Sequence, residues 1–320
     1  MRHTGSCIGS DNMTAMPKPI VMDVDTGTDD AMAILYAIAH PELELLGITC
    51  VAGNVALDQV VINTCKVLGA AGAGDIPVGV GARVPLKERA RRESGGSHGP
   101  NGLGGIELPE SSRGPSPLSA VDLLRQLIMS PPEPVSLVTL APKTNVARLF
   151  TSYPEVTKRI EQIIFMGGSV SKRAEFNVWQ DPEAAACVIE SSIPTLMYGL
   201  DLFDRLAVDQ ASINRFRAHD HPAIRLAGEL LYRRAESYSQ FHNHGSPLGD
   251  AGALVLLTNP ELFVTEELLV RIDLDGMDRG QTIVDTRREA PSPRVGVALD
   301  LDAARAASVF VETISAFAAA

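Results

Sequence analysis

The sequence predicts an α/β fold: a single-domain, open and mainly parallel sheet flanked by helices, with extra antiparallel strands near the C-terminus. Two observations carry this. Strand-length strings rich in Val, Ile and Leu alternate with helical patterns up to about residue 200, and these strings are apolar throughout rather than at every second position. Continuous apolarity marks strands covered on both faces, the condition of a parallel sheet between helical layers. After Asp201 the rhythm changes to helices followed by three more strand-like runs.

Taken in order, residues 1–16 are polar and aperiodic and read as a disordered tail, leaving 17–320 as one domain. Strands are expected at Pro19–Val24, Leu45–Ala52, Ile76–Val80, Val135–Leu140, Ile160–Met166 and Thr195–Tyr198. Helices are expected between them at Asp29–Ala39, Leu57–Ala71, Leu118–Met129 and Pro182–Glu190. Beyond Asp201, Pro222–Ser239 and Asp250–Leu257 read as helices. Leu268–Asp275, Thr282–Thr286 and Val295–Leu301 read as antiparallel strands, and Ala303–Phe317 as a closing helix. The connection from Val80 to Leu118 is far longer than most loops of compact domains, and long loops are commonly functional. It holds SGGSHGPNGLGG (Ser94–Gly105), whose His98 between glycines suggests an active-site flap.

Charge narrows the partners. Lys plus Arg number 28 against 39 Asp plus Glu, a net −11, which repels nucleic-acid phosphates and anionic membranes. No apolar run is long enough to span a bilayer, and the first twenty residues lack a secretory stretch. The four cysteines (Cys7, Cys50, Cys65, Cys187) form no C-x-x-C pair, which suits free thiols in a reducing cytoplasm.

Chemistry concentrates in IVMDVDTGTDDAMAI (Ile20–Ile34), where a strand runs into Asp23, Asp25, Asp29 and Asp30 within eight residues. Helix capping accounts for one acid at a helix start, but four repel one another unless a cation neutralises them. An oxygen-only set favours a hard ion, Ca²⁺ or Mg²⁺. A haloacid-dehalogenase-type phosphatase also uses a strand-end D-x-D, but its D-x-D-x-T/V pattern fails at Gly27.

DVDTGTDDAMAI instead resembles the D-x-D-x-G-x-D-D-A motif of the inosine-uridine preferring nucleoside hydrolases. VAGN (Val51–Asn54), HGPNGLG (His98–Gly104), LAPKTNVA (Leu140–Ala147), FMGGS (Phe165–Ser169), AEFNVWQDPEAA (Ala174–Ala185) and GDAGALVLLTNPELF (Gly249–Phe263) follow in the family's order, from about Pro19 to Leu301. The resemblance implies a nucleoside hydrolase-like fold and a calcium-dependent ribonucleoside N-ribohydrolase serving nucleoside salvage, commonly a homodimer or homotetramer.

It further implies one Ca²⁺ held by Asp25, Asp30, Asp250 and the main-chain carbonyl of Leu140. Asp25 is then the general base for a calcium-bound water attacking the anomeric carbon. Asp29, Asn54 and Asn177 would grip the ribose hydroxyls and Glu175 the 5′ side, with Met166 and Phe176 as apolar walls. Two departures stand out. The family's histidine before the last calcium aspartate is Gly249 here, and the Ser169–Arg173 loop is short and lacks the family's asparagine. Without that histidine, a purine or modified-base riboside is the expected substrate rather than a pyrimidine, and Gly249→His is expected to favour uridine. His98, His242 and His244 are candidate leaving-group acids, although an exposed, functionless histidine is the plainer expectation for each. The alternative reading is a family member that binds a nucleoside or ribosyl ligand with little or no turnover.

Overall fold

The computed structural model describes residues 16–87, 96–171, 174–238, 245–285 and 294–319. The expected alternation is present as β1 (Lys18–Val24), α1 (Thr28–Ala39), β2 (Leu43–Cys50), α2 (Leu57–Ala70), β3 (Val78–Val80), α3 (Ala120–Met129), β4 (Val135–Thr139), α4 (Thr144–Ser152) and β5 (Ile160–Met166). Two short helices, α5 (Phe176–Gln180) and α6 (Pro182–Ile189), lead into β6 (Thr195–Tyr198). Then come α7 (Leu200–Phe203), β7 (Ala207–Val208), α8 (Gln210–Arg217), α9 (Pro222–Tyr238), β8 (Ser246–Pro247) and α10 (Ala251–Thr258). The chain continues through β9 (Phe263–Ile272), β10 (Thr282–Asp285), β11 (Arg294–Leu301) and α11 (Ala303–Ser315). The expected tail lies outside the described residues, Met16 apart. No helix among the described residues is long and apolar enough to cross a membrane.

Nine strands form one sheet in the order β10-β9-β11-β6-β5-β4-β1-β2-β3. Side chains on β1 alternate between its faces. Ile20, Met22 and Val24 join an apolar cluster with α1, α9, α10 and α11, whereas Val21 joins one with α3, α4 and α6. Both faces are therefore covered, which is why the strand strings are apolar throughout. At roughly 1.5–3 kcal/mol per buried Val, Leu or Ile, these two layers sustain a site that itself buries many charges.

The structure departs from expectation at several places, β9 among them, which spans Phe263–Ile272 where Leu268–Asp275 was expected. β11 was expected to be only antiparallel; it pairs antiparallel with β9 but parallel with β6, which joins the C-terminal strands to the main sheet. Helix α4 begins within LAPKTNVA, a segment with no expected helix. Its Asn145 binds the strand ends, donating to Asp23 Oδ1 at 2.8 Å and to the Cys50 carbonyl at 3.0 Å. Helix α8, capped by Asp209 accepting from Ser212 N–H at 2.9 Å, fills a stretch with no assigned element.

From β1 the sheet grows through β2 and β3 on one side and through β4, β5 and β6 on the other. Connections leaving β1 and β4 therefore diverge, and open α/β sheets bind ligands in the crevice so formed at the carboxyl ends of the strands. Asp23 sits at that point, in register with Thr49 of β2 and Thr139 of β4.

Candidate active site

The β1–α1 turn is folded by its own carboxylates. Asp30, in the first turn of α1, accepts from Gly27 N–H at 2.9 Å and from Asp25 N–H at 3.3 Å, satisfying donors that a helix start leaves open. From the opposite side, β7 and β8 deliver Asp250 at the head of α10, a helix apolar all round and buried up to Leu257. Asp29, Asp30 and Asp250 are all buried, and one carboxylate oxygen from each lies within 4.8 Å of the others. Burial, then the charge of Asp29, pushes Asp30 up to about 7. Burial and the neighbouring aspartates likewise raise Asp25 and Asp250 well above the carboxylate range.

Three buried, mutually repelling carboxylates fit a hard divalent cation, and Asp29 Oδ1 has no hydrogen-bond partner among the described residues. Asp29 stands in this group beside the expected Asp30 and Asp250, and Asp25 Oδ2 accepts from the Asn54 main-chain N–H at 2.7 Å.

The residues expected to grip ribose are bound to the site's own groups. Asn54 Nδ2 donates to Asp30 Oδ2 at 3.2 Å. Asn177 Nδ2 donates to the Leu140 carbonyl at 2.7 Å and lies 3.2 Å from Met166 Sδ, so that carbonyl, expected as a metal ligand, already accepts a hydrogen bond. Glu175 caps α5, accepting from Asn177, Val178 and Gly168 N–H at 2.9–3.1 Å. In this structure Glu175 anchors the turn after β5. Met166 is buried and Phe176 half-buried. The short loop is tied by Asp201, which accepts from Ser169 Oγ and Val170 N–H at 3.1 and 2.8 Å; Lys172 and Arg173 lie outside the described residues.

The flap folds onto the cluster. His98, against the expectation of an exposed side chain, is buried, and its Nδ1 lies 3.4 Å from Asp29 Oδ1 and 3.3 Å from Thr28 N. Burial lowers its pKa, with Asp29 opposing the shift. A Cβ on Gly27 would collide with the His98 ring, so the glycine of the motif is what lets the flap close down. His242 and His244 lie outside the described residues.

Two buried cations were not anticipated. Lys143 Nζ donates to the carbonyls of Thr139, Ala141 and Met166 at 3.3, 2.5 and 2.6 Å, and burial brings its pKa down to about 8. Arg234, from α9, has Nε on the Pro247 carbonyl at 2.9 Å, Nη1 3.4 Å from Thr28 Oγ1 and Nη2 3.2 Å from Asp29 Oδ2. Burial opposes its charge, but the surrounding acids, Asp29 foremost, hold its pKa above the ordinary arginine value. A Cβ on Gly249 would stand 2.5 Å from Asp29 Oδ2 and 2.8 Å from Arg234 Nη2. The expected Gly249→His exchange therefore requires the Asp29–Arg234 ion pair to shift. Nothing in the local sequence around Lys143 or Arg234 signals these roles; a basic residue ordinarily keeps its charge in solvent.

Comparison with known proteins gives the family. The model of the family described as inosine-uridine preferring nucleoside hydrolase matches residues 20–308. A pyrimidine-specific ribonucleoside hydrolase, RihA, of Enterobacter sp. (strain 638) is 37% identical over 314 residues, covering 94% of this chain and 99% of its own. Among solved structures, a purine-preferring ribonucleoside hydrolase from Gardnerella vaginalis superposes with a TM-score of 0.88 at 30% identity, covering 94% of this chain and 99% of its own. A plant nucleoside hydrolase, PpNRh1, gives 0.86 at 29% identity, covering 93% and 99%.

Proposed function

The chain belongs to the inosine-uridine preferring nucleoside hydrolase family, enzymes acting on N-glycosyl bonds, and we propose that it hydrolyses pyrimidine ribonucleosides to ribose and free base. The observation that carries the reaction class is the buried Asp29–Asp30–Asp250 cluster at the sheet's switch point, with Asp25 alongside. Asp29, Asp30 and Asp250 would hold one calcium ion, which when bound supplies positive charge to the cluster and Lewis-acid polarisation of water. Asp25 is the general base: its carboxylate is fixed by Asn54 N–H, and its main chain is tied to Asp30. Glycoside cleavage passes through an oxocarbenium-like state, and the dense negative charge here stabilises that cation.

The purine expectation rested on Gly249 leaving no proton donor beside Asp250, and the name of the Enterobacter relative opposes it directly. The purine-preferring Gardnerella relative keeps inosine in the comparison. The three described cysteines are free, which supports a reducing, cytoplasmic setting.

Ribose release from uridine, cytidine, inosine and adenosine, with and without chelator, tests the proposal. Chelator-sensitive release with uridine ahead of inosine is expected, and Asp25→Asn should lower kcat by about 10²–10⁴-fold with the fold intact. A higher kcat/KM for inosine would overturn the base assignment. Silence with every riboside at saturating calcium would overturn the activity and favour a binding protein.

A further inference from the structure

Three facts at one corner of the site belong together. Gly249 adjoins Asp250 and has φ +61°, and any side chain there would strike both Asp29 and Arg234. Arg234 is fully buried, in a position where most arginines are absent. Its Nη2 pairs in charge with Asp29 yet has no hydrogen-bond partner among the described residues, although a buried guanidinium ordinarily satisfies its donors.

Taking the proposed pyrimidine nucleoside hydrolysis as its basis, we infer that Arg234 is a catalytic residue that stabilises the departing base, and that Gly249 is the opening that admits it. A ribose held by its hydroxyls at the carboxylate cluster would carry its base two bonds from C2′, toward this corner. As the C1′–N bond breaks, its electron pair moves onto the pyrimidine ring and its carbonyl oxygens. The water oxygen bonds to C1′, one water proton passes to Asp25, and the released base takes a proton from solvent. A guanidinium does not give up its proton at working pH. Arg234 therefore acts as a fixed charged hydrogen-bond donor to a carbonyl oxygen whose negative charge grows in the transition state, and it requires no reorganisation to do so. The Phe203 and Tyr238 rings, 5.2 and 4.8 Å from the Arg234 Cζ, pack against the guanidinium and hold its plane.

Arg234→Gln and Arg234→Lys, each checked by circular dichroism and melting, are compared with the parent on uridine and p-nitrophenyl riboside. Nitrophenolate leaves unaided, so the ratio of the two kcat/KM values isolates help given to the base. Arg234→Gln should lower the uridine-to-nitrophenyl ratio by about 10²-fold, the effect of removing one preorganised donor. Lysine keeps the buried charge opposite Asp29 but lacks the planar fork. Arg234→Lys should still lower the ratio by about tenfold, and it decides the question if the glutamine variant does not fold. Ratios within about threefold of the parent, whatever the absolute losses, would make Arg234 a counter-ion of Asp29 and overturn the inference. A parent that hydrolyses neither substrate would instead overturn the hydrolase reading; one that cleaves both inosine and nitrophenyl riboside but not uridine would overturn the base assignment and this inference with it.

Discussion

Replacing Gly249 by alanine puts a single carbon into the corner shared by Asp29 and Arg234. Two costs follow. The backbone there is left-handed, φ +61°, and a residue with a Cβ loses roughly 1–2 kcal/mol in that region. The new carbon also stands 2.5 Å from Asp29 Oδ2 and 2.8 Å from both Asp29 Cβ and Arg234 Nη2. Both neighbours are buried and mutually paired, so relief requires moving an ion pair, and overpacking of this kind costs about 1–3 kcal/mol. Gly105 is the control. Its φ is +78°, it is exposed, and a Cβ there would meet nothing within 4 Å, so Gly105→Ala carries the backbone cost alone. The loss of unfolded-state freedom from Gly to Ala is common to both variants and cancels. Urea unfolding followed by far-UV circular dichroism should place Gly249→Ala below Gly105→Ala by about 1–3 kcal/mol at equal m-value, the overpacking share alone. Equal stability within about 0.5 kcal/mol, the usual scatter of surface substitutions, would show that the corner yields freely and that Gly249 is not required by the Arg234–Asp29 pair.

Lys143→Met tests the buried lysine. Between pH 8 and 10.5 the folded parent has released the Lys143 proton while the unfolded chain still binds it, so the parent gains stability with rising pH across that window. Stability of the parent relative to Lys143→Met should therefore grow by about 3 kcal/mol from pH 7.5 to 10.5 in urea titrations, and a flat difference would place the lysine's pKa near its ordinary value. Divalent cations give the remaining test: calcium should raise the melting temperature of the parent, as any ligand of the folded state does, and Asp30→Asn should abolish most of the rise. An equal rise in that variant would move the ion away from the Asp29–Asp30–Asp250 cluster.

What the sequence disclosed follows from how far apart the cooperating residues lie. β5 and β6 were readable to the residue because a strand covered on both faces needs an unbroken apolar string, and nothing distant alters that need. Asp25, Asp29 and Asp30 were readable because one turn carries them, and their crowding alone calls for a cation. The hold on the Asp25 carboxylate was not readable: it comes from the main-chain N–H of Asn54, 24 residues beyond Asp30. The pairing of β11 with β6 and the capping duty of Glu175 are likewise settled by partners outside any local window. Gly249 is the sharpest case. Judged by its neighbours, it is a histidine lost; judged with Arg234, fifteen residues earlier and brought back by α9 and β8, it is the space a guanidinium requires. A motif compared position by position records the loss and misses the exchange. Substitution at a catalytic position therefore has to be weighed against every buried charge that the fold returns to it, since altering one partner of a buried pair leaves the other uncompensated.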